Sequence, residues 1–185
     1  MILPIYTYGQ PVLKKKGVDI DKDYDGLETL IPNMYETMYA AKGVGLAAHQ
    51  IGLNIRLFVV DTVQIMEEGK EAEGIKKAFI NAQILEESGD LWSYEEGCLS
   101  IPNVRGDVER CPKIRIKYRD EQFNEYEEVY DGINARVIQH EYDHIEGLLF
   151  TEKLKPLKKK LIQRKLNAIK TGKMEADYKV KIMRP

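Results

Sequence analysis

The segment His140-Glu141-Tyr142-Asp143-His144 carries the strongest chemical signal in the chain. Residues four apart share one face of a helix, about 5–6 Å from each other at Cβ. Two imidazoles so placed can grip one metal ion. Glu141, one residue on, can reach a water at that ion and take its proton. A catalytic metal site usually has three protein ligands and an open position, so a third ligand is required. No histidine lies downstream of His144, and His49 is the only other one in the chain. The downstream acids are Glu146, Glu152, Glu175 and Asp177. Upstream, Cys98 sits in Glu95-Glu96-Gly97-Cys98-Leu99-Ser100. A thiolate suits zinc or iron, although a lone cysteine is more often a small core residue. A third segment, Gly43-Val44-Gly45-Leu46-Ala47-Ala48-His49-Gln50, combines small residues that let backbone crowd a ligand with a Gln50 amide able to hold an oxyanion.

These residues need elements to position them. Asp131 is a plausible N-cap and Gly147 a plausible stop for a helix over 132–146 that carries both histidines. Leu27, Leu30, Ile31, Met34 and Met38 recur at helical spacing and predict a helix over about 23–41, with Pro32 as a kink or start. Residues 55–61 read as a buried strand. Residues 78–81 and 83–86 read as two short strands, and 67–77 as a surface loop. Residues 113–118 and 125–130 form a hairpin around Asp120–Asn124. A last helix starts near Pro156, with Leu157, Leu161, Ile162, Leu166 and Ile169 on one side. Strands first and the histidine helix later predict an α+β fold.

The 185 residues suit a single domain, 1–185, able to bury about 70% of its unfolded surface. No run approaches the ~20 apolar residues that span a bilayer. The first ten residues lack the charged and apolar segments of a signal peptide, so a cytoplasmic protein with no membrane partner is expected. Cys98 and Cys111 are then expected to be free or metal-bound rather than bridged. The net charge of −2 hides an asymmetry: residues 153–173 hold nine bases and no acid, and the remainder holds 19 bases against 30 acids. Such a basic tail is either a solvated helix face or a second partner surface.

Taken together, the three segments resemble the motifs of peptide deformylases: GxGLAAxQ, EGCLS and HExDH, in that order and at similar spacings. The resemblance covers about residues 1–170. CLSIP followed by Arg105, with the basic C-terminal helix, looks closest to the first bacterial subtype. The resemblance implies antiparallel sheets packed around a central histidine helix, followed by a C-terminal helix. It also implies removal of the formyl group from N-terminal formylmethionine of new polypeptides. Cys98, His140 and His144 would hold the metal, ferrous iron by resemblance, with zinc, nickel or cobalt able to replace it. Glu141 would move protons, and Gln50 with the Leu99 N–H would hold the oxyanion. Val44, Ile133 and Val137 would line a methionine pocket, with Arg136 at its rim, its stem over apolar surface and its guanidinium in water. Gly45, Gly97 and Arg105 complete the substrate-binding set. The basic helix would dock on the ribosome. Asp143 is expected to pair with Arg110, and Cys111 to be a buried spectator. The rivals are a metallopeptidase with another third ligand, and a closed four-ligand binding module in which His49 or an acid completes the set.

Overall fold

A computed structural model describes residues 1–183. Its elements run β1 (Ile5–Tyr6), α1 (Leu27–Ala40), β2 (Gly45–Ala47), β3 (Leu57–Asp61), β4 (Lys76–Ser88), β5 (Trp92–Cys98) and β6 (Ile101–Arg110). They continue with β7 (Lys113–Arg119), β8 (Glu125–Asp131), α2 (Gly132–Ile145), α3 (Pro156–Lys170) and β9 (Val180–Lys181). Strands β2-β3-β4-β7-β8 form one antiparallel sheet, and β5-β6 a separate antiparallel hairpin. The short β1 and β9 pair in parallel. The fold is α+β, as expected.

Helix α2 is enclosed by these layers. Ala135, Val137, Ile138 and Ile145 pack with Phe58, Phe79, Ile114 and Ile116 of the sheet. A second cluster joins α1 to β2 and β3, and a third joins β6 to α3. The helix stops where Gly147 takes φ +76, and a Cβ there would stand 2.6 Å from the Lys14 carbonyl oxygen. Only glycine fits that position.

Several elements differ from the sequence reading for identifiable reasons. Helix α1 begins at Leu27, after Gly26 at φ 75, and carries Pro32 within its second turn. The two short strands expected over 78–86 are one strand with register shifts at Ile80/Gln83 and Ile84/Glu86. Asn81 interrupts the alternation: it sits at φ 53, and its side-chain amide both accepts from the Ile20 N–H and donates to the Ile20 carbonyl, at 2.9 and 2.7 Å. The loop expected over 67–77 contains a single helical turn at Glu71–Glu73, and β4 begins at Lys76.

In α3, Ile162, Leu166 and Ile169 are buried, whereas Leu157 and Leu161 are 70% and 69% exposed. At about 100° per residue, the buried stripe lies roughly 120–180° around the helix from Leu157. One helix cannot turn both sets inward. The β5–β6 hairpin had no counterpart in the sequence reading. In β6, Val104, Gly106, Val108 and Arg110 alternate inward, and a glycine and an arginine among them hide the apolar period.

Candidate active site

The β5–β6 hairpin delivers Cys98 and α2 delivers the two histidines. At the end of β5 the pairing jumps from Gly97↔Arg105 to Cys98↔Ile101. The Cys98 Sγ lies 3.3 Å from His144 Nε2. The ligand atoms of Cys98, His140 and His144 all lie within 4.8 Å of one another, and they are the only such cluster of three or more histidine, cysteine or acidic ligands among the described residues. The alternative ligands are elsewhere. Glu146 pairs with Arg56 at 2.8 Å and Glu152 with Lys14 at 2.6 Å. His49 is buried with its Nε2 3.0 Å from Asn54 Oδ1.

The arrangement suits a cation. Glu96 Oε1 accepts from His140 Nδ1 at 2.8 Å, which leaves Nε2 of that ring available to an ion. Burial would raise the Glu96 carboxyl, but hydrogen bonds from Arg110 and His140 outweigh it and hold the group well below the usual carboxylate range. Burial, reinforced by the charge of His140, holds His144 well below the ordinary histidine value, in the neutral form that binds metal. On His140, burial opposes a charge, yet Cys98 and Glu96 outweigh it and raise its pKa well above the ordinary value. The cluster attracts positive charge, and its N, N and S donors suit zinc, iron, cobalt or nickel.

Beside these three residues lies a cavity of about 740 Å³. Glu141 and Gln50 line it, and Leu99 and Cys98 form part of its wall. Val44, Ile133 and Val137 meet there from the glycine loop and from α2, and Gly45, Gly97 and Arg105 border the same space. Among the expected site residues, only His144 is not exposed to it; it is buried behind the wall.

Glu141 is buried, and its Oε2 has no protein hydrogen-bond partner. Burial raises its pKa to about 7. A Cβ on Gly45 would stand 2.5–2.8 Å from the Glu141 side chain, so the glycine loop and the acid fit only because position 45 has no side chain. The Gln50 Oε1 accepts from the Ala47 N–H at 2.9 Å. That orients its amide nitrogen, which lies 3.5 Å from Cys98 Sγ and 3.2 Å from Ser100 Oγ.

Arg136 departs from expectation. Its guanidinium does not reach water; the residue is 2% exposed. Nη1 donates to Glu96 Oε2 at 2.8 Å and to the Val108 carbonyl at 2.9 Å, and Nη2 donates to the Trp92 carbonyl at 2.6 Å. The guanidinium also stacks 4.4 Å from the Trp92 ring centre. Burial is tolerated because the charge is matched by a carboxylate and an aromatic face. Arg110 pairs with Asp143 at 2.8 Å, as expected, and also with Glu96 at 2.7 Å. Cys111 is half-buried rather than buried, and its carbonyl accepts from Gln139 Nε2.

The sequence reading missed Glu96 as the shared carboxylate, and Tyr178 and its neighbours as cavity wall. The position of Glu96, two residues before Cys98 in a strand, was the available signal.

The family model described as polypeptide deformylase matches residues 2–160. The chain is 57% identical to the peptide deformylase of Christiangramia forsetii, over 98% of this chain and 96% of that protein. It is 56% identical to that of Flavobacterium psychrophilum, over 99% and 98%. Among solved structures, a peptide deformylase from Legionella pneumophila superposes with a TM-score of 0.80 at 36% identity, covering 90% of this chain and 94% of the other. The enzyme from Plasmodium falciparum superposes with a TM-score of 0.79 at 33% identity, covering 88% and 92%.

The cluster makes a direct prediction. Cys98→Ala loses tight metal binding while Cys111→Ala keeps it, measured as metal content of the folded proteins. Equal metal content in the two variants would show that Cys98 is not a ligand.

Proposed function

The chain belongs to the polypeptide deformylase family, whose members remove N-formyl groups from nascent peptides, and we propose the following roles for its residues. Cys98, His140 and His144 hold one divalent ion, and the observation that carries this is their convergence, with Glu96 fixing the His140 ring. When bound, that ion acts as a Lewis acid, polarising the formyl carbonyl and acidifying a water. Glu141 accepts the proton of the attacking water. As oxygen adds to the formyl carbon, Gln50 Nε2 and the Leu99 N–H donate to the developing oxyanion; removing one such donor typically costs about 10²–10³ in rate. Glu141 then gives its proton to the leaving nitrogen, the C–N bond breaks, and formate and a free amine result. A carboxyl raised to about 7 can take and return a proton near neutral pH.

Val44, Ile133 and Val137 receive the methionine side chain. Arg136 closes that pocket from below with its guanidinium turned into the Glu96 network. Backbone at Gly45 and Gly97 pairs with the peptide as an added strand, and Arg105 borders its path. The whole chain, 1–185, acts as one domain. No helix among the described residues is long and apolar enough to cross a membrane, and we place the enzyme in the cytoplasm, where its substrates are made.

The basic face of α3, with Lys160, Arg164 and Lys165 exposed and Leu157 and Leu161 beside them, docks on ribosomal RNA. Neutralised phosphates release counterions, so binding falls steeply with salt. Lys160→Glu/Arg164→Glu/Lys165→Glu weakens ribosome co-sedimentation at low salt; undiminished binding by this variant would sink the docking reading.

Glu141→Ala keeps the metal and the fold but loses nearly all formate release. Normal turnover, or loss of metal from folded protein, would remove Glu141 from its role.

The native ion is ferrous iron. An iron site beside a thiolate is open to attack by dioxygen, and the sulfur oxidises stepwise to sulfenic and sulfinic acids. Anaerobically prepared iron enzyme therefore loses activity in air within hours, as the mass of the Cys98 peptide rises or the ion is lost. The nickel form survives, and the zinc form binds but turns over slowly. An air-stable iron form, or a zinc form of equal rate, contradicts this assignment.

A further inference from the structure

Residues after α3 turn back across the mouth of the cavity. Glu175, Ala176, Asp177 and Tyr178 all line it, although the family match ends at residue 160. The return is anchored at several points. The Tyr178 hydroxyl donates to the Leu99 carbonyl at 2.7 Å, and Asn103 Nδ2 donates to the Glu175 carbonyl at 3.0 Å. Beyond them, β9 pairs with β1, the Ile5 N–H donating to the Lys179 carbonyl at 2.9 Å. Tyr178 is half-buried against the α1 cluster. The segment is therefore a built part of the cavity.

Its position fits the peptide beyond the first residue. The formyl end must lie at Cys98 and Glu141, and the methionine among Val44, Ile133 and Val137. The remaining chain leaves through the mouth, which the β5–β6 rim and this segment both border. On the rim, Arg105 is engaged by Glu95 at 2.9 Å. On the C-terminal segment, Glu175 and Asp177 are exposed and make no ion pair among the described residues. The other bases on the cavity border are Lys42, beside the glycine loop, and the buried Arg136, which Glu96 engages.

We propose that the C-terminal return segment, Glu175–Tyr178, is a specificity-determining wall of the substrate cavity, held on Leu99 by Tyr178, and that it favours formylmethionyl peptides with a basic residue downstream. This rests on the substrate reading of the cavity given above. The preference is modest, because the carboxylates are exposed: about three- to tenfold, the worth of one or two surface charge pairs.

The test uses full-length metal-loaded enzyme and measures formate release from formyl-Met-Ala-Lys and formyl-Met-Ala-Glu. The wild type prefers the lysine peptide in kcat/KM, with the difference carried in KM and shrinking at high salt. Glu175→Lys/Asp177→Lys brings the ratio to one or below. Tyr178→Phe, which releases the wall without altering charge, raises KM for the lysine peptide and reduces the ratio. Equal use of both peptides by the wild type would overturn the proposal, as would a ratio that survives charge reversal in folded protein. Absence of formate release from either peptide would instead overturn the substrate reading on which the proposal stands.

Discussion

One buried carboxylate holds the site together. Glu96 accepts from His140 Nδ1, from Arg110 Nε and Nη2, and from Arg136 Nη1, all at 2.7–2.9 Å. Removing a charge of this kind from water costs several kcal/mol, and the cost is offset only when its lone pairs are filled in good geometry. Here two guanidiniums and an imidazole fill them, and Arg110 carries the network on to Asp143. Because Glu96 and Cys98 lie two residues apart on β5 and both turn toward α2, the same contacts that neutralise Glu96 set the distance between the cysteine and the histidine helix. Removing one member would leave an uncompensated buried charge, typically costing about 3–5 kcal/mol. Ligand geometry and local stability are therefore coupled through a residue that is not itself a ligand.

The parts of this arrangement legible in the sequence are those governed by local periodicity and end signals. Helix α2 was visible from its histidine spacing and Gly147, and the β7–β8 hairpin from its alternation around Asp120–Asn124. The parts that were not legible depend on long-range neutralisation. Arg136 reads as a surface cation in any local window, and only the folded chain brings Glu96 and the Trp92 ring to it. The β5–β6 hairpin was hidden for the same reason, since Arg110 occupies an inward position that a hydrophobic pattern leaves blank. Leu157 and Leu161 show the converse failure. Apolar type grouped them with Ile162, Leu166 and Ile169 on one side of the helix, but their angle on α3 turns them outward.

The chemistry then follows from how tightly three distant segments are pressed together. Residues 43–50, 95–100 and 140–144 meet with so little slack that Gly45 cannot carry a Cβ beside Glu141. That closeness buries Glu141, and the burial raises its carboxyl to about 7. A general acid–base works best when its pKa lies near the working pH. An exposed glutamate at the same place in the helix would keep the ordinary carboxylate pKa and be a weaker base toward the attacking water. The glycine is thus as much a part of the proton transfer as the acid it crowds, because the space it leaves open sets how deeply the acid is buried.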